Sequence, residues 1–200
     1  MKKTLVALAL VALAALTLSA CGNQTDTTRG VGSGASTGAV FNDADVAFAQ
    51  RMVPHHEQAV VMARMTTGRV HDPAVDRLAR DIEAAQAPEI KQMKGWLTSW
   101  GKDVSGSTMM GDGDGSSTGM MGNHVPGMMG GNRMGMLRQM HGRDWDDMFL
   151  TMMIAHHRGA IAMAKQELDH GRFPDALALA RQIITSQQQE IVTMRGLLAD

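Results

Sequence analysis

Sliding the chain along itself by 101 residues lays one stretch on another without a gap. RMVPHHEQAVVMA at 51–63 falls on MMIAHHRGAIAMA at 152–164, so that Met52, His55, His56, Ala59 and Met62 meet Met153, His156, His157, Ala160 and Met163. Upstream, Asp45 meets Asp146 and Phe48 meets Phe149; downstream, Pro73 meets Pro174, and Gln86, Glu89, Ile90 and Met93 meet Gln187, Glu190, Ile191 and Met194. A duplication of this kind constrains folding strongly, because whatever the unit does to hide its apolar face its copy must also do. Two copies are too few for a solenoid and suit a pseudo-twofold pair.

Each unit reads as a helical hairpin, since its apolar residues recur at intervals of three and four rather than two. Asp43 or Asp45 is expected to cap a first helix running to Gly68, and Asp72-Pro73 is an N-cap followed by proline at the first helical position. The second helix is expected to end near Gly101, and Gly171 and Pro174 mark the corresponding turn of the later copy. Pro54 and Pro88 fall inside expected helices, where each removes a hydrogen bond and should kink the axis. Two amphipathic hairpins hide their apolar faces by packing together. The fold class is therefore all-α, a four-helix bundle with hairpins at 41–100 and 142–200 joined by a crossover linker at 101–141. With no tyrosine and four phenylalanines, Ala, Leu, Ile, Val and Met must fill the core.

At ~100° per residue, Asp45, Phe48, Met52, His55, His56, Ala59, Met62 and Ala63 share one arc of a helix, as do their counterparts in the second copy. Phe48 and the alanines identify that arc as the buried one, so all four histidines point toward or flank the core. Glu89 and Met93, and likewise Glu190 and Met194, share the inner face of the second and fourth helices. Burying a polar group without a partner costs a few kcal/mol. Glu89 and Glu190, or Asp45 and Asp146, could simply hydrogen-bond the imidazoles and fix helix register. A metal site is the functional alternative, with imidazole as ligand and a carboxylate holding its other nitrogen.

Ligand type selects the metal. Di-iron bundles use inward Glu and Glu-x-x-His motifs, whereas here Met52 and Met153 stand three residues before the first histidine of each pair. A thioether is a poor ligand for iron or zinc but suits Cu(I), and imidazole serves both Cu(I) and Cu(II). Taken alone, Met52, Met62, Met153 and Met163 are each better explained by core filling; beside the His-His pairs, ligation explains them as well. The linker adds a separate signal: STMMGDGDGSSTGMMGNHVPGMMGGNRMGM at 107–136 carries Met109, Met110, Met120, Met121, Met128 and Met129 around His124, among glycines that build no core. Such thioethers can close around Cu(I) or Ag(I).

The N-terminus ends an apolar run with Leu18-Ser19-Ala20-Cys21, preceded by Lys2 and Lys3. This reads as a secretion signal over 1–20, and its ending is similar to a bacterial lipobox, which would make Cys21 a lipidated anchor in an extracytoplasmic membrane protein. A sole cysteine forms neither an internal disulfide nor a thiolate cluster. Residues 21–40 are rich in Gly, Ser and Thr and read as a flexible tether to a domain spanning 41–200. Without the signal, 17 basic side chains face 20 acidic ones, a balance that gives no reason to expect nucleic acid.

The paired motifs MVPHHEQAVVMA and MIAHHRGAIAMA, each followed by Gln-x-x-Glu-Ile-x-x-Met, resemble the two halves of the DUF 305 family. The resemblance runs from about Asp43 to the end, apart from the Met/Gly linker. It implies a ferritin-like helical fold and, from some members, an extracytoplasmic copper-binding role associated with copper resistance. It marks Met52, His55, His56, Met62, Met153, His156, His157 and Met163 as the positions to test. The expected function is a lipid-anchored protein that sequesters or hands on copper, with silver as a surrogate and an unidentified delivery partner. The rivals are a ferritin-like metal oxidase or peroxide-consuming enzyme, and a metal-free interaction module.

Overall fold

The computed structural model describes residues 40–104 and 125–199. The signal, Cys21, most of the tether, and Met109, Met110, Met120, Met121 and His124 lie outside the described residues. Five α-helices follow in order: α1 (Asp43–Ala63), α2 (Pro73–Ser99), α3 (Gly131–Gln139), α4 (Gly142–His170) and α5 (Pro174–Leu197). The described residues are all-helical, and none of these helices is long and apolar enough to cross a membrane.

Helix starts follow local chemistry. The cap of α1 is Asn42, not Asp43 or Asp45: its Oδ1 accepts from Ala44 N at 2.9 Å and Asp45 N at 3.1 Å, while Asp45 Oδ2 accepts from Asn42 N at 2.6 Å. Reciprocal bonding of this kind satisfies two backbone donors at once. Asp72 caps α2 as expected, with Pro73 at its first position. α1 ends at Ala63 and tightens into a 3-10 turn, Arg64–Thr66, earlier than the expected Gly68, which instead takes the left-handed φ of +73° in the turn that follows. Pro54 and Pro88 sit inside α1 and α2, and each helix continues through its proline.

α1 packs on α2 and α4 on α5, forming two hairpins, and α1 on α4 joins them. One apolar cluster contains Met52 from early α1 and Met163 from late α4; the other contains Met62 from late α1 and Met153 from early α4. The two central helices therefore run antiparallel, and the motif halves cross at their middles. Reciprocal braces repeat this symmetry. Asp45 Oδ1 accepts from Arg172 N and Phe173 N, each at 2.9 Å, in the turn before α5. Asp146 accepts from His71 N at 3.0 Å and Asp72 N at 2.8 Å, in the turn before α2. These partners are related by the same 101-residue shift. Each hairpin thus holds the other's turn.

The linker departs from expectation. Its last part is not irregular: Gly131–Gln139 forms α3, which packs on α4 through Met134 and Leu137.

Candidate metal centre

The arc predicted to be buried is buried. His55, His56 and His157 are 0% exposed and His156 is 1%, between the two apolar clusters at the crossing of α1 and α4. The rings of His55 and His156 lie against each other, centroids 3.7 Å apart and planes inclined by 33°, and His55 and His56 are 6.3 Å apart.

Every imidazole has one partnered and one unpartnered nitrogen. His56 Nε2 bonds Glu89 Oε2 at 2.8 Å, and His157 Nε2 bonds Glu190 Oε2 at 2.5 Å. A second acceptor bond reaches Glu89 from Gln182 Nε2 at 3.4 Å. His55 Nε2 donates to the carbonyl of Pro126 at 3.0 Å, and His156 bonds the main chain of His55. Left without partners are His55 Nδ1, His56 Nδ1, His156 Nε2 and His157 Nδ1. Where an oxygen acceptor takes the N–H, the other nitrogen presents its lone pair. Burial, reinforced by the neighbouring His56 and His157, pushes the His55 pKa down to about 3; burial and the other three imidazoles hold His156 well below its usual value. Both rings are therefore neutral at physiological pH, the form that ligates metal.

Among the alternatives open at the level of sequence, Glu89 and Glu190 hold imidazoles, whereas Asp45 and Asp146 do not: they hold the backbone turns. Met52, Met62, Met153 and Met163 are buried in the flanking clusters, Met93 and Met194 on the inner faces of α2 and α5. Gln86 and Gln187, one turn from the glutamates, are buried with side-chain atoms that have no partner. Among the described residues no three or more His, Cys, Asp or Glu side chains are grouped so as to hold an ion by themselves. The helices that carry the histidines also carry the thioethers of Met52, Met62, Met153 and Met163.

A strap crosses this layer. Gln58 clamps the backbone of Met129, its Nε2 donating to Met129 O at 2.9 Å and its Oε1 accepting from Met129 N at 2.7 Å. Opposite it, Gly159 lets Pro126 and Gly127 lie directly on α4: a Cβ on Gly159 would stand 2.0 Å from Pro126 O and 2.8 Å from Gly127 Cα. Gly127 adopts φ +81°, and a Cβ there would meet Ala155 O and His156 O at 2.9 Å. Gln58 and Gly159 are equivalent positions in the two copies. One grips the strap and the other makes room for it. Sequence reading missed both, although their divergence within otherwise matching motifs was a visible signal. Met128 is half-buried in the strap, and Met129 is buried with its sulfur 4.0 Å from the Arg133 guanidinium.

Comparison with known proteins agrees with this architecture. A crystal structure from Streptomyces coelicolor, described as a secreted DUF305 protein, is 36% identical with a TM-score of 0.67, covering 78% of this chain and 92% of that one. A DUF305 fragment from Deinococcus radiodurans is 32% identical with a TM-score of 0.66, covering 79% and 97%. CopM in its Cu(II)-bound form is 31% identical with a TM-score of 0.63, covering 78% and 95%, and CopM structures with Cu(I) and with silver match as well. Among curated sequences, uncharacterized protein L153 of Acanthamoeba polyphaga mimivirus is 36% identical over 53 residues, and the match spans about a third (35%) of that protein. The family described as domain of unknown function (DUF305) matches residues 45–198. The chain belongs to the DUF305 family.

Proposed function

We propose that this protein is an extracytoplasmic copper-binding protein, tethered through a lipidated Cys21, that sequesters copper or hands it on without turnover. The observation that carries the reading is the set of four buried imidazoles with one unpartnered nitrogen each, two of them backed by a carboxylate. A carboxylate behind an imidazole fixes its tautomer and raises its basicity toward a metal. His55, His56, His156 and His157 supply nitrogen, and Met52, Met62, Met153 and Met163 supply sulfur; Glu89 and Glu190 orient, and Met93 and Met194 follow them one turn further along α2 and α5. This donor set favours Cu(I), accepts Cu(II) through nitrogen, and extends to silver. CopM, a member of the same structural group, has been crystallised with all three. The linker methionines Met109, Met110, Met120 and Met121, with His124, form a looser collecting site.

Competition against a Cu(I) chelator tests the reading. Glu89→Gln keeps the volume and a partner for His56 but removes the charge behind it, and should weaken binding about tenfold to a hundredfold. His56→Ala and His157→Ala together should weaken it further, with thermal unfolding of each variant reporting fold. Folded variants with unchanged affinity would remove the histidine layer from copper binding.

A further inference from the structure

The duplication supplies its own control for which methionines the fold needs. Met52, Met62 and Met93 recur as Met153, Met163 and Met194, but Met65, Met148 and Met152 do not: the same positions in the other copy are Gln166, Ala47 and Arg51. Those three counterparts line an open cavity of about 160 Å³ between the start of α1 and the end of α4. The fold therefore tolerates small or polar side chains at these places. At the opposite end, where α1 finishes and α4 begins, all three positions carry thioethers, and α3 with its C-cap residue adds two more to the same cluster, Met134 and Met140.

We infer that Met65, Met134, Met140, Met148 and Met152 form a second soft-metal site, all-thioether and using none of the four histidines, that takes Cu(I) or Ag(I). Met134 and Met152 belong to the buried cluster, while Met65, Met140 and Met148 pack against it only partly buried, so the site has both an apolar floor and a route from solvent. Met148 and Met152 are one turn apart on the same face of α4. Arg69 ties the remaining pieces together, donating from Nε to Arg138 O at 3.1 Å and from Nη1 to Met65 O at 3.5 Å, and its own carbonyl accepts from Gly142 N at 2.7 Å. The end of α1, the end of α3 and the start of α4 are thereby held at one place. Thioethers need no deprotonation and discriminate against hard cations. Core filling alone would be served as well by leucine, which makes the test direct.

The full chain, labelled with ¹³C at its methionine methyls and titrated with Ag(I), reads each thioether separately. The methyl signals of Met134, Met148 and Met152 are expected to shift in step with one bound equivalent. The Met65→Leu/Met148→Leu/Met152→Leu variant, which conserves volume, should bind one equivalent less, and His56→Ala/His157→Ala should retain those shifts. The choice of silver as probe rests on the proposed copper function, but loss of the histidine layer and loss of this cluster are read independently. Unmoved cluster methyls, with saturation elsewhere, would overturn the inference; should the triple variant fail to fold, the wild-type titration and Met148→Leu alone still decide.

Discussion

Gly159→Ala isolates the strap. In a helix interior, alanine is favoured over glycine by about 1 kcal/mol, so propensity alone makes the substitution stabilising. Here the new methyl would lie 2.0 Å from Pro126 O and 2.8 Å from Gly127 Cα, and both obstacles are backbone. The strap must therefore move away by about 1 Å to restore van der Waals separation. That movement breaks the His55 Nε2 bond to Pro126 O at 3.0 Å and strains the two Gln58 bonds to Met129 at 2.7 and 2.9 Å. The broken bond leaves His55 Nε2 unpaired in the core at about 2 kcal/mol, and the two weakened bonds add about 1 kcal/mol, which together outweigh the propensity gain. The expected result is destabilisation by about 2 kcal/mol, a melting point lower by about 4 to 8 °C for a domain of this size. Gly95→Ala is the matched control, because Gly95 is helical and a Cβ there meets nothing within 4 Å; it should gain about 1 kcal/mol. Urea unfolding of both variants, with the slope checked for two-state behaviour, makes the comparison. If Gly159→Ala stabilises as much as Gly95→Ala, the strap does not lie on α4 as described.

The braces and buried acids give two further outcomes. Asp146→Ala strips the acceptor from His71 N and Asp72 N, and should cost about 2 to 4 kcal/mol by urea unfolding, because both amides lose their partner. Glu167 is buried against Asp45; burial first, then the hydrogen bond and charge of Asp45, push its pKa from 4.5 to about 8. For Asp45 burial acts the other way, but the hydrogen bonds from Glu167 and from the amides of Phe173, Asn42 and Arg172 prevail and hold its pKa low. Because the folded state keeps the Glu167 proton that the unfolded chain releases, the contribution of Glu167 to stability falls as pH rises from about 4.5 to 8, with a ceiling of about 5 kcal/mol, while His55 and His156, held neutral in the fold, contribute the opposite slope below about 6.5. Glu167→Gln keeps a donor to Asp45 and should flatten the fall in stability measured from pH 6.5 to 8, where the histidines no longer titrate; an unchanged slope there would refute the assignment.

The parts of the fold legible in the sequence are those where the duplication repeated a period. The buried arc of α1 was readable because Phe48, Met52, Ala59 and Ala63 recur at three and four, and the copy in α4 excludes coincidence. α3 was not readable: nine residues containing two glycines have little helical tendency of their own, and the helix forms by docking Met134 and Leu137 on α4. The strap was hidden for another reason. Gln58 and Gly159 are far apart in sequence and act on one segment only because the central helices cross antiparallel at the histidines.

Asp45 and Asp146 show where angular reasoning stops. Both share the arc of the imidazoles, which made them reasonable partners for those rings. An angle around a helix, however, discards position along it. His55 lies ten residues beyond Asp45, or about 15 Å along the axis at 1.5 Å per residue. No carboxylate side chain spans that distance, so Asp45 had to serve whatever adjoins the start of α1. The antiparallel packing of α4 puts the turn before α5 there, with two backbone amides needing an acceptor. Glu89 and Glu190 differ only in lying level with the histidines on the partner helix of each hairpin. The division of labour between structural and site carboxylates thus follows from axial height, and the duplication makes the same division twice.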